Sequence, residues 1–309
     1  MARRNVVIDC DTGVDDALAL LLALRSPAFN VLGITTVAGN VPLDKVLRNT
    51  LIVVEHSGKQ VPVYHGSPRP LLSPLHTAEI AHGSDGLGDI GFPDPQSSFC
   101  KEHAVDFLIR TFMEAKEPVE LITLAPLTNV ALALLKEPRL EERISTLWMM
   151  AGGITGGNAT AAAEFNIFVD PEAADIVFRS RIPTKTMVPL EPIAQGAKIY
   201  PEDAEKLESS PSPWCWLAGK LLNWEFGRWR GPISPCDLAA VAVVVDQTIA
   251  ESKLYSVVIE TRGEHTRGMT VVDRREWRTR EIFEPNVNVV TAIDSSKFHR
   301  LVMDTFLAS

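Results

Sequence analysis

The chain has 309 residues, a net charge of −9, and 46% hydrophobic against 22% charged residues. That is ordinary for a soluble globular protein with a large core, and the length suits one α/β domain. The acidic balance argues against a nucleic-acid backbone as partner, because phosphates attract basic surfaces, yet it accommodates a small neutral substrate.

Val6-Val7-Ile8 opens the chain as a β-branched run of the kind that fills a parallel sheet. Asp9, Asp11, Asp15 and Asp16 follow within eight positions, and the apolar residues 18–24 then read as a helix. Gly13 supplies the turn between them, and Asp15 and Asp16 fall at the helix N-terminus, where negative charge is favourable. Residues 31–37 predict a second strand ending at Ala38-Gly39-Asn40, 42–56 a helix with Pro42 at its start, and 61–65 a short third strand. The polar stretch 66–98, holding His76, His82, Asp85 and Asp89, reads as a long loop; such loops are usually functional or mobile.

A helix over 102–115, a strand over 119–125, a helix over 127–136 behind Pro126 and a buried strand over 146–151 closed by Gly152-Gly153 come next. Residues 154–170 read as irregular, 171–178 as a helix, 186–190 as a strand and 202–207 as a helix. From 211 to 230 the texture changes, with four of the six tryptophans: Trp214, Trp216, Trp224 and Trp229. Pro235-Cys236-Asp237 opens an apolar helix, 238–245. Residues 254–260 and 269–273 read as a late strand pair, 286–293 as a strand and 295–306 as a closing helix. The alternation predicts an α/β fold, a largely parallel, doubly wound sheet with helices on both faces. One domain over 1–309 is expected, with inserted loops over the active face.

Cys10, Cys100, Cys215 and Cys236 form no CxxC pair, so neither a zinc site nor a disulfide framework is indicated and a reducing compartment fits. Arg3 and Arg4 precede too few apolar residues for a signal peptide, and no run of about 18 apolar residues offers a membrane span. A cytoplasmic protein with no membrane partner is expected.

Several polar clusters fall where strands should end, and in a parallel sheet those ends converge on one edge. They are the four aspartates, Asn40, the Leu124-Ala125-Pro126 turn, the set Asn158, Glu164, Asn166 and Asp170, and Cys236-Asp237. Asp9 and Asp11 are two apart, so on an extended strand they share a side. Carboxylates this close raise one another's pKa unless a cation lies among them, and all-oxygen ligands favour Ca²⁺ or Mg²⁺. Carboxylates and amides together suit a ligand with several hydroxyls. Taken singly, each residue has a plainer reading. Asn40 suits a turn, Asp237 an N-cap, Asp170 a helix start, His82 a solvated loop, Cys236 a buried small residue, and the tryptophans a core or an oligomer surface.

The motif Asp9-Cys10-Asp11-Thr12-Gly13-Val14-Asp15-Asp16-Ala17 resembles the N-terminal signature of the inosine–uridine nucleoside hydrolase family. So do Thr36-Val37-Ala38-Gly39-Asn40, His82-Gly83-Ser84-Asp85-Gly86-Leu87-Gly88, Leu124-Ala125-Pro126-Leu127-Thr128-Asn129 and the segment from Glu164 to Ala174, in the family's order. The resemblance implies a Ca²⁺-dependent enzyme that hydrolyses the N-glycosidic bond of ribonucleosides, giving ribose and free base. It implies Asp11, Asp16, Asp237 and the backbone carbonyl of Leu124 as Ca²⁺ ligands, and Asp11 as general base toward a water held by the ion. Asp15, Asn40, Asn158, Glu164, Asn166 and Asp237 would grip the ribose hydroxyls, with Asp9 supporting the cluster. Dimers or tetramers of identical chains are implied too.

The chemistry suits these residue types. Cleavage leaves an oxocarbenium-like ribosyl cation, which an array of carboxylates stabilises. The departing base needs a proton or its equivalent. Many family members carry a histidine immediately before the last metal aspartate for this purpose; here that residue is Cys236, and a thiol of pKa about 8.5 matches the task less well than imidazole. His82 is the remaining histidine that resembles a leaving-group residue. Two other readings compete. A haloacid-dehalogenase-type phosphatase also begins with a strand and Asp-x-Asp, but Gly13-Val14-Asp15-Asp16 puts two acids where that pattern continues differently, and an acidic pocket suits phosphate poorly. A non-catalytic ribonucleoside-binding protein on the same scaffold would keep the sugar site, but Asp11, the base, is intact.

Overall fold

The computed structural model describes residues 3–275 and 284–308. Strand β1 (Arg4–Cys10) leads through Asp11-Thr12-Gly13 into helix α1 (Val14–Arg25), the expected strand, turn and helix. β2 (Phe29–Thr36), α2 (Leu43–His56) and β3 (Val63–Tyr64) follow, then α3 (Glu79–His82), α4 (Ala104–Glu114), β4 (Val119–Thr123) and α5 (Thr128–Lys136). The middle of the chain forms β5 (Thr146–Met150), α6 (Phe165–Val169), α7 (Pro171–Arg179), β6 (Lys185–Val188), α8 (Leu190–Gly196), α9 (Pro201–Glu208), α10 (Pro213–Arg228) and α11 (Cys236–Val245). β7 (Ala250–Ile259), β8 (Thr270–Asp273), β9 (Val287–Ile293) and α12 (Ser295–Leu307) close it.

Among the described residues the strands join one nine-stranded sheet in the order β3-β2-β1-β4-β5-β6-β9-β7-β8. Pairing is parallel from β3 through β9; β7 runs antiparallel to β9, and β8 antiparallel to β7. The chain steps outward from β1 to β3, then returns to lay β4 on the other side of β1. That reversal opens a crevice at the carboxyl ends of β1 and β4, where open α/β sheets bind ligands.

Alternation along each strand fills two layers. Val6, Ile8 and Cys10 face α1, α10, α11 and α12, while Val7 faces α4, α5 and α7. Both faces are covered, which is why the central strands read as continuous apolar runs. α1 and α11 pack against each other and are buried nearly all round, so neither shows a polar stripe.

The structure departs from the sequence reading in places, each with a local cause. The stretch 66–98 is not wholly loop, since α3 ends on His82. Residues 154–170 turn helical at α6, where the Glu164 carboxylate accepts the Asn166 and Ile167 N–H groups as an N-cap. The third strand shrinks to two residues beside Pro62, which has no N–H to give a ladder. The strand expected over 186–190 spans Lys185–Val188 instead, and Leu190 opens α8, a seven-residue helix too short to announce itself by periodicity. β7 starts at Ala250, earlier than expected, because it pairs along β9 as well as β8. The tryptophan-rich stretch is the single helix α10 with Pro213 in its first turn. Trp214 stacks under the Arg25 guanidinium, Trp216 lies parallel to His56, and only Trp229 of the four is more than half exposed.

Lys185 is buried within β6 and donates to the carbonyls of Phe178 and Ser180 at the end of α7. Burial holds its ammonium down at about 8. The folded state therefore binds this proton less tightly than the unfolded chain, so stability should rise between pH 8 and the ordinary lysine pKa of about 10.4. Denaturant unfolding at pH 8 and pH 10 should show a smaller rise for Lys185→Met than for the parent protein; an equal rise would show that Lys185 is not the group responsible.

Candidate active site

The crevice begins with how β1 ends. Asp9 is the last acid inside the sheet. Its Oδ1 accepts from Thr35 Oγ1 at 2.5 Å and Asn129 Nδ2 at 2.8 Å, while Oδ2 is buried with no hydrogen-bond partner among the described residues. Asp16, in the first turn of α1, turns back over the bend: its carboxylate accepts the N–H groups of Gly13 (3.0 Å) and Asp11 (3.2 Å). β2 delivers Asn40, whose N–H donates to Asp11 Oδ2 at 2.7 Å and whose Nδ2 donates to Asp16 Oδ2 at 2.8 Å. That approach requires Gly39, since a Cβ there would lie 2.0 Å from Asp11 Oδ2.

α11 brings in Asp237 from the opposite side. Pro235, not Asp237, occupies the N-cap, and the Asp237 N–H faces Asp15 Oδ2 at 3.4 Å. Asp15, Asp16 and Asp237 offer carboxylate oxygens within 4.8 Å of one another. Asp11 borders this trio. The Oδ1 atoms of Asp11, Asp15 and Asp237 are buried without a hydrogen-bond partner among the described residues. Burial, reinforced by the neighbouring Asp16 charge, pushes Asp11 well above the usual carboxylate range, and burial with Asp15 does the same to Asp237. Asp9 and Asp16 are pushed to about 7, chiefly by burial.

Orphaned oxygens on several buried acids fit a hard divalent cation, which supplies the missing partner and offsets the repulsion. Leu124, just past β4, lines the same cavity; its carbonyl accepts from Asn166 Nδ2 at 3.0 Å and keeps a second lone pair. Asp11, Asp16 and Asp237 thus lie together, and Leu124 shares a cavity wall with Asp237. The position of Asp15 was less legible in the sequence, for it stands within the converging acids rather than only beside a sugar.

A cavity of about 380 Å³ opens above the acids. Its walls bring together Asp15, Asn40, His82, Asn158, Glu164, Asn166, Cys236 and Asp237, from segments more than two hundred residues apart. Glu164 is buried and held by the N–H groups of Asn166, Ile167 and Gly152. Asn158 sits exposed at the rim, its Oδ1 accepting from the Phe165 N–H. Asp170 does not line the cavity. It caps α7 and accepts from Thr128 and Leu71, as its plainer reading held. His76, Ile80, Phe165 and Phe168 add an apolar and aromatic wall.

His82 is no solvated loop residue. Its Nδ1 accepts the Val14 N–H at 3.2 Å and lies 3.8 Å from Asp15 Oδ1, and burial lowers its pKa. With Nδ1 occupied as an acceptor, the neutral ring carries its proton on Nε2. Arg228 of α10 fixes this turn by donating to the carbonyls of Ala81 and Ile80. Cys236 faces the same space, and burial raises its thiol pKa, so it stays protonated.

A second chamber of about 400 Å³ shares Asp15, Ala81, His82 and Cys236 with the first and adds Glu225 and Trp229 from the end of α10. Burial pushes the Glu225 carboxyl to about 7. Sequence reasoning missed this residue, although an acid inside a run of aromatic residues is a legible signal. It also missed Asn129 and Thr35, which buttress Asp9 from elements far along the chain.

Residues 6–300 match the family described as inosine-uridine preferring nucleoside hydrolase. The pyrimidine-specific ribonucleoside hydrolase RihA of Photobacterium profundum is 40% identical over 281 residues, covering 88% of this chain and 89% of that protein. RihA of Shewanella sp. (strain MR-7) is 37% identical over 312 residues, covering 98% and 96%. Among solved structures, an inosine-guanosine nucleoside hydrolase superposes with a TM-score of 0.91 at 30% identity, covering 98% of this chain and 99% of that one. A purine-preferring ribonucleoside hydrolase from Gardnerella vaginalis does so with a TM-score of 0.87 at 30% identity and 98% coverage of both. The chain belongs to the inosine–uridine preferring nucleoside hydrolase family and is an N-glycosyl hydrolase of ribonucleosides.

Proposed function

We propose that the enzyme is Ca²⁺-dependent and cleaves the N-glycosidic bond by direct attack of water, with Asp11 as general base. The observation that carries this reading is the set of orphaned oxygens on Asp11, Asp15 and Asp237 beneath a cavity lined by amides and carboxylates. Asp11, Asp16, Asp237 and the Leu124 carbonyl would hold the ion, with Asp15 within reach of it. When bound, Ca²⁺ supplies Lewis acidity toward water and a fixed positive charge among the acids.

Asp11 is suited to take the proton. One oxygen is pinned by the Asn40 N–H, which leaves the other free toward the attacking water. Asp15, Asn40, Asn158, Glu164, Asn166 and Asp237 hold the ribose hydroxyls, and the same carboxylates stabilise the positive charge that grows on the sugar. A single displacement inverts the anomeric carbon. On the leaving side, His82 offers an Nε2–H donor held by α1, and Cys236 offers a protonated thiol in place of imidazole. The assembly is read as a homodimer or homotetramer of cytoplasmic chains.

Reducing-sugar release from inosine, adenosine, uridine and cytidine should fall to background with a chelator and return with added Ca²⁺; turnover that persists in chelator removes the metal from the reading. Asp11→Ala should lower kcat by about a thousandfold while unfolding at the same temperature as the parent. Near-parent ribose release by that variant would be incompatible with Asp11 as base. Cys236→His should shift the pH profile of kcat or the ranking of bases; if both stay unchanged, residue 236 does not face the leaving group. Light scattering that returns a monomer mass would remove the assembly.

A further inference from the structure

Glu164 stands at the start of α6, yet what fixes its surroundings comes from the far edge of the sheet. Thr270, the first residue of β8, is buried. Its Oγ1 accepts from the Gly153 N–H at 3.0 Å and donates to the Gly153 carbonyl at 2.5 Å. One hydroxyl therefore satisfies both polar groups of one residue, which requires a group that donates and accepts. Gly152, just before, has φ +68°, and a Cβ on it would lie 2.5 Å from Thr270 Cγ2. The Gly152 N–H donates to Glu164 Oε2 at 2.9 Å. The same turn braces the rest of the loop: Gly268 lies close against Ala163 and Phe168, and Arg267 pairs with both oxygens of Glu172 on α7 while reaching Ser73.

We propose that Thr270 is a positioning residue for the sugar site: through Gly153 and Gly152 it sets the orientation in which Glu164 presents its carboxylate to the ribose hydroxyls. This rests on the reading of Glu164 as a ribose ligand given above. Thr270 itself does not line the cavity. Valine in its place keeps the shape but leaves the Gly153 N–H and carbonyl without partners in a buried place, whereas serine keeps the hydroxyl.

Steady-state kinetics with one ribonucleoside, together with inhibition by free ribose, test this. Thr270→Val should lower kcat/KM and raise the ribose inhibition constant, each about tenfold, and Thr270→Ser should match the parent. In a Glu164→Gln background the Thr270→Val change should have no further effect, because the group it acts through is gone. Thr270→Ala takes its place in the same cycle where the valine variant does not fold. A full, additive loss in the Glu164→Gln background, or a serine variant as impaired as valine, overturns the role of Thr270 alone. A Glu164→Gln variant with the parent's kcat/KM and ribose inhibition constant removes the ribose-ligand reading itself, and the role of Thr270 with it.

Discussion

Negative charge buried at the exit of β1 is the constraint on which the rest of this structure depends. Asp9, Asp11, Asp16 and Asp237 are all nearly or fully removed from solvent. Burying an unpaired carboxylate is among the most unfavourable placements a fold can contain. The N–H groups of Asp11 and Gly13 hold the two oxygens of Asp16, whereas Asp11 has one oxygen pinned by the Asn40 N–H and the other without a partner among the described residues. The surrounding scaffold tolerates this because its core is large and its two central helices, α1 and α11, are apolar nearly all round. A site that is unfavourable for stability is held in place by elements that gain from burial.

The topology explains why the acids meet. β1 is flanked by β2 and β4, so the turns after all three open onto one crevice, and α11 enters from above with Asp237. Residues that read as unrelated turn formers therefore become a single polar wall. The cavity wall that carries Glu164 and Asn166 is densely determined, with Glu164 held by three backbone donors and Asn166 tied to the Leu124 and Met150 carbonyls. The wall toward the second chamber is built differently. It depends on His82 at the end of a one-turn helix, on Cys236, and on the end of α10, where Glu225 and Trp229 face the second chamber.

Much of the fold was legible because its signals are local. The β-branched run of β1, the turn at Gly13 and the apolar run of α1 each follow from a few consecutive residues, and the strand–helix alternation follows from periodicity. The elements that escaped are the short ones. α3, α6 and α8 span four, five and seven residues, too few to show a period; of the three only α6 has a side-chain cap, the Glu164 carboxylate.

The sequence by itself determined the parallel α/β class, the acidic turn after the first strand and the polar residues that stand at the strand ends. Only the tertiary structure decided that Asp15 joins the converging acids, that His82 receives the Val14 N–H, that Glu225 borders the second chamber, and that Thr270 reaches back to Gly153. The reason is distance along the chain. Propensity and spacing act over a few residues, whereas these contacts join segments from about seventy to more than two hundred residues apart, and only the packed sheet brings them together.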